Sequence, residues 1–239
     1  MIRILIISDI HGNYPALQAV AEQADIARCD YIFNCGDSTV YAPFANQVLD
    51  WLTEHGAVSI LGNTDDKVIK LLKGKKFKKP GKVEKRVMYT HTAQILTPEN
   101  RSILKEFTKK KKLVVSNTLI KLFHGSPAKH TEFLFADTPD KRFRQLARNC
   151  RGDIIITGHS HTPYHKIINT THFINPGSVG RMFDGIPKAS YGIIELDKTK
   201  VQVNLHRCDY NIEQVVQGLN DAKLPDIYAD MYRMARKLN

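Results

Sequence analysis

The chain has 239 residues, 42% hydrophobic and 25% charged, which suits one globular domain with a modest insertion and excludes a disordered or fibrous chain. Lys and Arg number 35 against 24 Asp and Glu, and the resulting charge of +11 permits an anionic partner without identifying one. The apolar run at the N-terminus meets Asp9 and His11 too soon for a signal peptide or membrane span. Cys29, Cys35, Cys150 and Cys208 show neither a Cys-x-x-Cys spacing nor a disulfide framework, so a cytoplasmic protein is expected.

Residues 2–7 (IRILII) read as a buried strand, followed by helical spacing at Leu17, Val20, Ala21 and Ala24, with Asn13 placed as N-cap and Pro15 in the first turn. Residues 31–35 form a second strand. Phe44, Val48, Trp51 and Leu52 then mark a helix that Gly56 could terminate, and residues 57–61 form a third strand. This βαβαβ opening predicts parallel strands with helices on the faces. From residue 64 to 112 the texture changes. Residues 65–72 and 99–107 read as helices around a Lys-rich stretch holding Pro80 and Gly81, a helical insertion or cap within a single domain spanning 1–239. Short strands follow at 113–116, 119–123, 154–157, 164–168, 172–174, 190–196 and 201–207, and their turn linkage predicts antiparallel pairing. Helices around 212–219 and 227–238 close the chain. The expected fold is an α/β (α+β) two-sheet sandwich flanked by helices.

Five polar motifs stand directly after predicted strands: Asp9-Ile10-His11, Gly36-Asp37, Gly62-Asn63, His124-Gly125 and Gly158-His159-Ser160-His161. Open α/β sheets place ligands at strand C-termini, where loops converge without disturbing the core. An isolated Gly-Asp or Gly-Asn is ordinarily a turn, and His124 alone reads as a satisfied strand-end histidine. The signal is the ordered set of two carboxylates, four imidazoles and one amide. Two divalent ions need an anionic bridge between them, which a short carboxylate such as Asp37 supplies, and such a pair clamps phosphoryl oxygens while generating a hydroxide. Nitrogen and oxygen ligands without thiolate suit Mn, Fe, Zn or Co.

The ordered set Asp-x-His, Gly-Asp, Gly-Asn-x-Asp, His-Gly and Gly-His-x-His resembles the calcineurin-like metallophosphoesterase superfamily. The Asn-Pro-Gly-Ser-Val-Gly-Arg stretch at 175–181, the Ala-Ser-Tyr-Gly at 189–192 and the tail from Asp209 through Pro225 resemble its small bacterial and archaeal branch. The resemblance implies a dinuclear phosphoesterase with one metal on Asp9, His11, Asp37 and His161. The second would sit on Asp37, Asn63, His124 and His159. Asp37 bridges, and the hydroxide between the metals is the nucleophile. Mn is the first expectation, with Fe, Zn, Co or Ni as alternatives.

One position departs from many members of the family, which carry a histidine after the Gly-Asn pair to assist the leaving group. Here it is Thr64, a poor general acid, so phosphodiester or nucleotide-type bonds are expected over alkyl monoesters. Asn63, Asn13 and Arg181 are the candidate substrate contacts. Asn13 serves equally as a cap, and a surface arginine is the plain alternative for Arg181. Asn175 and Ser178 read as turn residues. His55, His91, His130, His165, His172 and His206 match no ligand spacing. The basic run from Lys73 to Arg86, joined by Lys109 to Lys112, reads first as a solvated face. The rival readings are a nuclease that uses this run to hold DNA or RNA and a non-catalytic scaffold. The expected partner is a small phosphoester or nucleotide, with no membrane, and oligomeric state is left open.

Overall fold

A computed structural model describes residues 1–77, 80–197 and 200–239. Strand β1 (Ile2–Ile7) runs through the centre of the molecule, with Ile4, Leu5, Ile6 and Ile7 all fully buried. A strand with both faces covered needs an unbroken apolar run rather than alternation. Ile4 and Ile6 point into the sandwich against Ile120, Ile154 and Ile156. Leu5 and Ile7 point outward against Leu17 and Val20 of helix α1 (Tyr14–Gln23) and Val48 and Trp51 of α2 (Ala45–Glu54). Each such side chain contributes roughly 1.5–3 kcal/mol on burial.

In the first sheet β1 pairs in parallel with β2 (Tyr31–Asn34), in the register Ile4↔Tyr31 to Ile7↔Asn34, and β2 pairs in parallel with the short β3 (Val58–Ser59). Helices α3 (Asn63–Leu72), α4 (Val83–Ile95) and α5 (Pro98–Glu106) come next. The second sheet is built from β4 (Lys110–Val115), β5 (Thr118–Phe123), β6 (Ile154–Ile156), β7 (Tyr164–Ile168) and β8 (Thr171–Asn175), with helix α6 (Asp140–Cys150) between β5 and β6. The chain then returns to the first sheet through β9 (Ala189–Leu196) and β10 (Val201–Cys208) and ends in α7 (Ile212–Asp221) and α8 (Ile227–Met234). The strand orders are β10-β9-β1-β2-β3 and β4-β5-β6-β8-β7, two mixed five-stranded sheets face to face with helices outside.

The second half is not uniformly antiparallel. β5 and β6 pair in parallel, as do β6 and β8. For β5 and β6 the reason is α6, which periodicity does not reveal and which supplies the crossover a parallel pair requires; between β6 and β8 the chain crosses through β7. α4 likewise lies in what reads as a Lys-rich separator, and β4 begins inside the lysine run. α8 ends at Met234, where Ala235 turns left-handed at φ +47° and stops the helix short of residue 238. The 64–112 segment does not stand apart: Val68, Met88, Tyr89, Leu96 and Leu104 share one apolar cluster with Leu49, Val215 and Tyr228. Among the described residues no helix is long and apolar enough to cross a membrane.

Candidate metal centre

Strands β1, β2, β3, β5 and β6 all end at one rim of the sandwich, and the five polar motifs follow them there. Two clusters result. Asp9, His11 and His161 offer ligand atoms within 4.8 Å of one another, and so do Asp37, His124 and His159. Each cluster draws on both sheets, the aspartates and His11 from the first and His124, His159 and His161 from the second. Asp37 lies between them, its Oδ2 at 3.4 Å from His124 Nε2 and 4.0 Å from His11 Nε2. Asn63 Oδ1 is 3.1 Å from His124 Nε2.

The backbone is strained where it presents these groups. Asp9, His11, Asp37, His159 and His161 all have φ between +52° and +66°, a region that residues with a Cβ seldom adopt. Hydrogen bonds between neighbouring loops hold them there: Asp9 N–H donates to the Gly36 carbonyl and His11 N–H to the Asp37 carbonyl, both at 2.9 Å. Close approach also requires glycine at two positions, since a Cβ on Gly158 would collide with Ser8 Oγ and one on Gly62 with the Asp37 carboxylate. Asp65, fully buried, ties these loops together by accepting from the N–H groups of Ser38 and Thr39 at 3.1 Å and of Gly62 at 3.2 Å.

The two metal-side carboxylates follow one pattern. Asp9 Oδ2 accepts from Ser8 Oγ at 2.7 Å and from His159 N–H at 2.9 Å, while its buried Oδ1, 3.3 Å from His161 Nε2, has no hydrogen-bond donor among the described residues. Asp37 Oδ1 accepts from Thr64 N–H at 2.7 Å, which leaves Oδ2 toward the histidines. The imidazoles are oriented in the same sense. His124 Nδ1–H donates to the Cys35 carbonyl at 2.8 Å and His161 Nδ1–H to the Arg181 carbonyl, which leaves Nε2 of each ring facing inward. His11 Nε2 and His161 Nε2 then face each other at 3.2 Å. Carboxylate oxygens and imidazole nitrogens facing inward in two such sets fit divalent cations.

Electrostatics agree with that donor set. Burial pushes the Asp9 carboxyl up, but His161 and His124 bring it down to about 2. Burial likewise opposes ionisation of Asp37, and His124 beside it outweighs that and holds it well below the usual carboxylate range. Burial lowers His11 to about 3 and His159 to about 4, which leaves both neutral and able to ligate at pH 7. For His124 burial pulls down while the Asp37 carboxylate pulls up harder, to about 9, so a cation arriving there displaces a proton.

The clusters open into a cavity of about 210 Å³ lined by Asp37, Asn63 and Thr64 and by four cations, Lys67, Lys85, Arg181 and Lys237. Arg181 is 7% exposed and has no carboxylate partner among the described residues. Its guanidinium lies 3.7 Å from the centre of the Tyr41 ring, with Nη2 at 3.2 Å from Met231 Sδ. Tyr41 itself is held at φ +110°. Asn13, by contrast, does not line the cavity. Its Oδ1 caps α1 by accepting from Ala16 N–H at 3.1 Å, and its Nδ2 donates to the Gly180 carbonyl at the same distance. Asn175 and Ser178 brace the site, with Asn175 Nδ2 donating to the Gly158 carbonyl at 2.8 Å and Ser178 Oγ to the Asp9 carbonyl at 2.7 Å.

Several cavity residues escape the sequence reading. Lys67 had a signal, since it sits one helical turn beyond Asn63 on the same face of α3. Lys85, Tyr41, Lys237 and Phe133, which stacks on His159 at 4.2 Å between centroids, arrive only through tertiary folding.

Two sheets in this order, with Asp/His clusters from both at one rim, define a metallophosphoesterase-like protein. Residues 2–199 match the family model of the calcineurin-like phosphoesterase superfamily domain, and the chain belongs to that superfamily. It is 30% identical to an uncharacterized protein of Methanocaldococcus jannaschii, over 93% of this chain and 94% of that protein. A metallophosphoesterase from Sphaerobacter thermophilus superposes with a TM-score of 0.80 at 25% identity, covering 98% of this chain and 99% of that one. A hypothetical protein from Pyrococcus horikoshii shares the fold, with a TM-score of 0.86 at 17% identity over 99% of this chain and 100% of that one.

Proposed function

We propose that the chain is a dinuclear, metal-dependent hydrolase of phosphodiester or nucleotide-type phosphate bonds. The observation that carries this is the pair of clusters joined through Asp37, each with an unanchored carboxylate oxygen and inward imidazole nitrogens, at the floor of a cationic cavity. Asp9, His11, Asp37 and His161 would hold one ion, and Asp37, Asn63, His124 and His159 the other. Such a pair supplies, when bound, a water-derived nucleophile at neutral pH and a clamp on phosphoryl oxygens. Manganese is the first candidate, with Fe, Zn, Co and Ni offering similar ligand preferences.

The chain's own residues do the rest. Arg181, Lys67 and Lys85 face the anionic oxygens of a bound phosphoester, and the buried Arg181 fork gives orientation as well as charge. Thr64 presents to the cavity a buried hydroxyl without a hydrogen-bond partner among the described residues, and a threonine hydroxyl gives no proton at neutral pH. A leaving group must therefore depart without that help, which favours diesters, pyrophosphates and activated esters.

The test is hydrolysis of bis-p-nitrophenyl phosphate beside p-nitrophenyl phosphate, on protein stripped of metal and reloaded with Mn²⁺. Metal-dependent turnover favouring the diester is the expected result. Turnover favouring the monoester would overturn the substrate preference. No turnover with Mn²⁺, Co²⁺, Ni²⁺ or Fe²⁺ would overturn the enzyme reading in favour of a scaffold.

A further inference from the structure

A dense patch of positive charge outside the cavity lies along the second sheet and α6. The inner face of β5 packs Ile120 and Leu122 into the sandwich, and β4 beside it is an edge strand. On the outer face α6 sets Phe143 and Leu146 against Ile155, Tyr164 and Phe173 of the other three strands. Between the flank of α6 and the β4–β5 hairpin runs a groove of about 570 Å³, with Lys110, Lys111, Lys112 and Lys121 on one wall and Asn149 and Cys150 on the other. A second hollow of about 520 Å³ shares Asn149 and continues over Lys141, Arg144 and Arg148. Among the described residues neither lining contains an Asp or Glu.

The arrangement is unfavourable for the protein alone. Lys112 lies directly opposite Lys121 in the β4–β5 register, and like charges placed across a strand pair repel. Among the described residues Lys110, Lys111, Lys112, Lys121, Lys141 and Arg148 make no ion pair, and Arg144 reaches only Asp140, at 3.8 Å between exposed side chains. Lysines on an edge strand discourage strand-to-strand association, and Lys121 Nζ donates to the Cys150 carbonyl at the end of α6, but neither brings an acidic partner to the groove or accounts for Lys141, Arg144 and Arg148 along α6. Lysines two apart on a strand stand about 7 Å apart, close to the repeat of phosphates along an extended nucleic-acid strand. Lys141, Arg144 and Arg148 fall at i, i+3 and i+7, one face of the helix. β5 leads from this groove directly into His124, so one end of the groove adjoins the metal rim.

We propose that the groove between β4–β5 and α6 binds the phosphodiester backbone of a single nucleic-acid strand, by charge and without base recognition. Backbone contacts of this kind position a strand and read no sequence. The binding surface stands apart from the hydrolytic reading and does not require an active metal centre.

The experiment is fluorescence anisotropy of the intact protein with a labelled single-stranded phosphorothioate oligonucleotide of roughly 20 nucleotides, between about 50 and 200 mM salt. The Lys110→Glu/Lys112→Glu/Lys121→Glu variant is expected to weaken binding about 10-fold or more and to flatten the slope of log K against log salt by about 2, at roughly 0.7 for each phosphate no longer neutralised. Lys73→Glu/Lys75→Glu/Lys76→Glu, the same change of charge on an exposed segment elsewhere, should weaken it less than about twofold. A glutamine version of the groove triple with an unchanged melting temperature should bind weakly too, which separates removal of charge from damage to the fold. Absence of binding by the unaltered protein at the lowest salt, equal losses in the two glutamate triples, or tighter binding to phosphatidylserine vesicles than to the oligonucleotide would each overturn the proposal. Hydrolysis of bis-p-nitrophenyl phosphate, followed in the same variants, should stay at the unaltered rate. Failure of the groove thus reads separately from failure of the metal centre.

Discussion

Ile6 and Asp9 lie three residues apart and are equally buried, at 0% exposure, yet opposite physics keeps them there. Ile6 has regular strand geometry and apolar neighbours on every side, and its burial is favourable without help. Asp9 is a carboxylate in a left-handed conformation with one oxygen lacking a hydrogen bond among the described residues, and each of those features opposes folding. The sandwich interior is stable enough to hold its rim in a conformation the rim would not choose. A metal ion would turn part of that unfavourable balance around, since it would bring positive charge to the carboxylate oxygens that face inward.

The contrast is sharpest in Asp37→Ala. Turnover is expected to fall on the order of 10³-fold or more, with metal content per chain reduced, because the group between the two clusters is gone; retained turnover, measured beside metal analysis by mass spectrometry, would break the comparison. Ile6→Ala should do the reverse, lowering stability by about 2–5 kcal/mol in chemical denaturation while metal-loaded turnover per folded molecule stays near normal. Removing metal from the intact protein should lower the thermal midpoint and reloading should restore it. The gain in stability is about 2.7 kcal/mol at an ion concentration a hundred times its Kd. Arg181→Met should raise KM about tenfold, the equivalent of about 1.4 kcal/mol, with a smaller change in kcat, since on the proposed reading it removes a phosphate contact and leaves the candidate metal ligands in place.

The rim was legible in the sequence because its chemistry restricts residue types at fixed places behind strands. Asp9, Asp37 and the Gly158–His161 loop have few other reasons to stand where they do, and glycines such as Gly62 and Gly158 mark where backbones meet. β1 was legible from its unbroken apolar run. α6 was not, because it buries only Phe143 and Leu146 and otherwise carries charge, and without it the parallel pairing of β5 with β6 had no visible cause. α4 hid for a similar reason, burying only Met88, Tyr89 and Thr92. The cavity walls were hidden altogether: nothing local to Tyr41 or Lys85 announces that the two will face the same space. Asn13, read in the sequence both as a helix cap and as a substrate contact, directs its side-chain hydrogen bonds to the α1 cap and the Gly180 carbonyl.

That each cluster takes ligands from both sheets has a consequence for how the chain matures. Asp9 and His159, joined by a hydrogen bond in the folded protein, are separated by 150 positions, so neither ion site exists until the second sheet has formed and closed on the first. Pairings of such long sequence separation form late, after the entropy of closing the chain has been met. Metal therefore cannot nucleate this fold, and an emerging ribosomal chain carrying Asp9 and Asp37 alone would hold an ion only loosely. Uptake would follow the closing of the two sheets, and a loaded centre would report that both halves of the molecule have been made and have found each other.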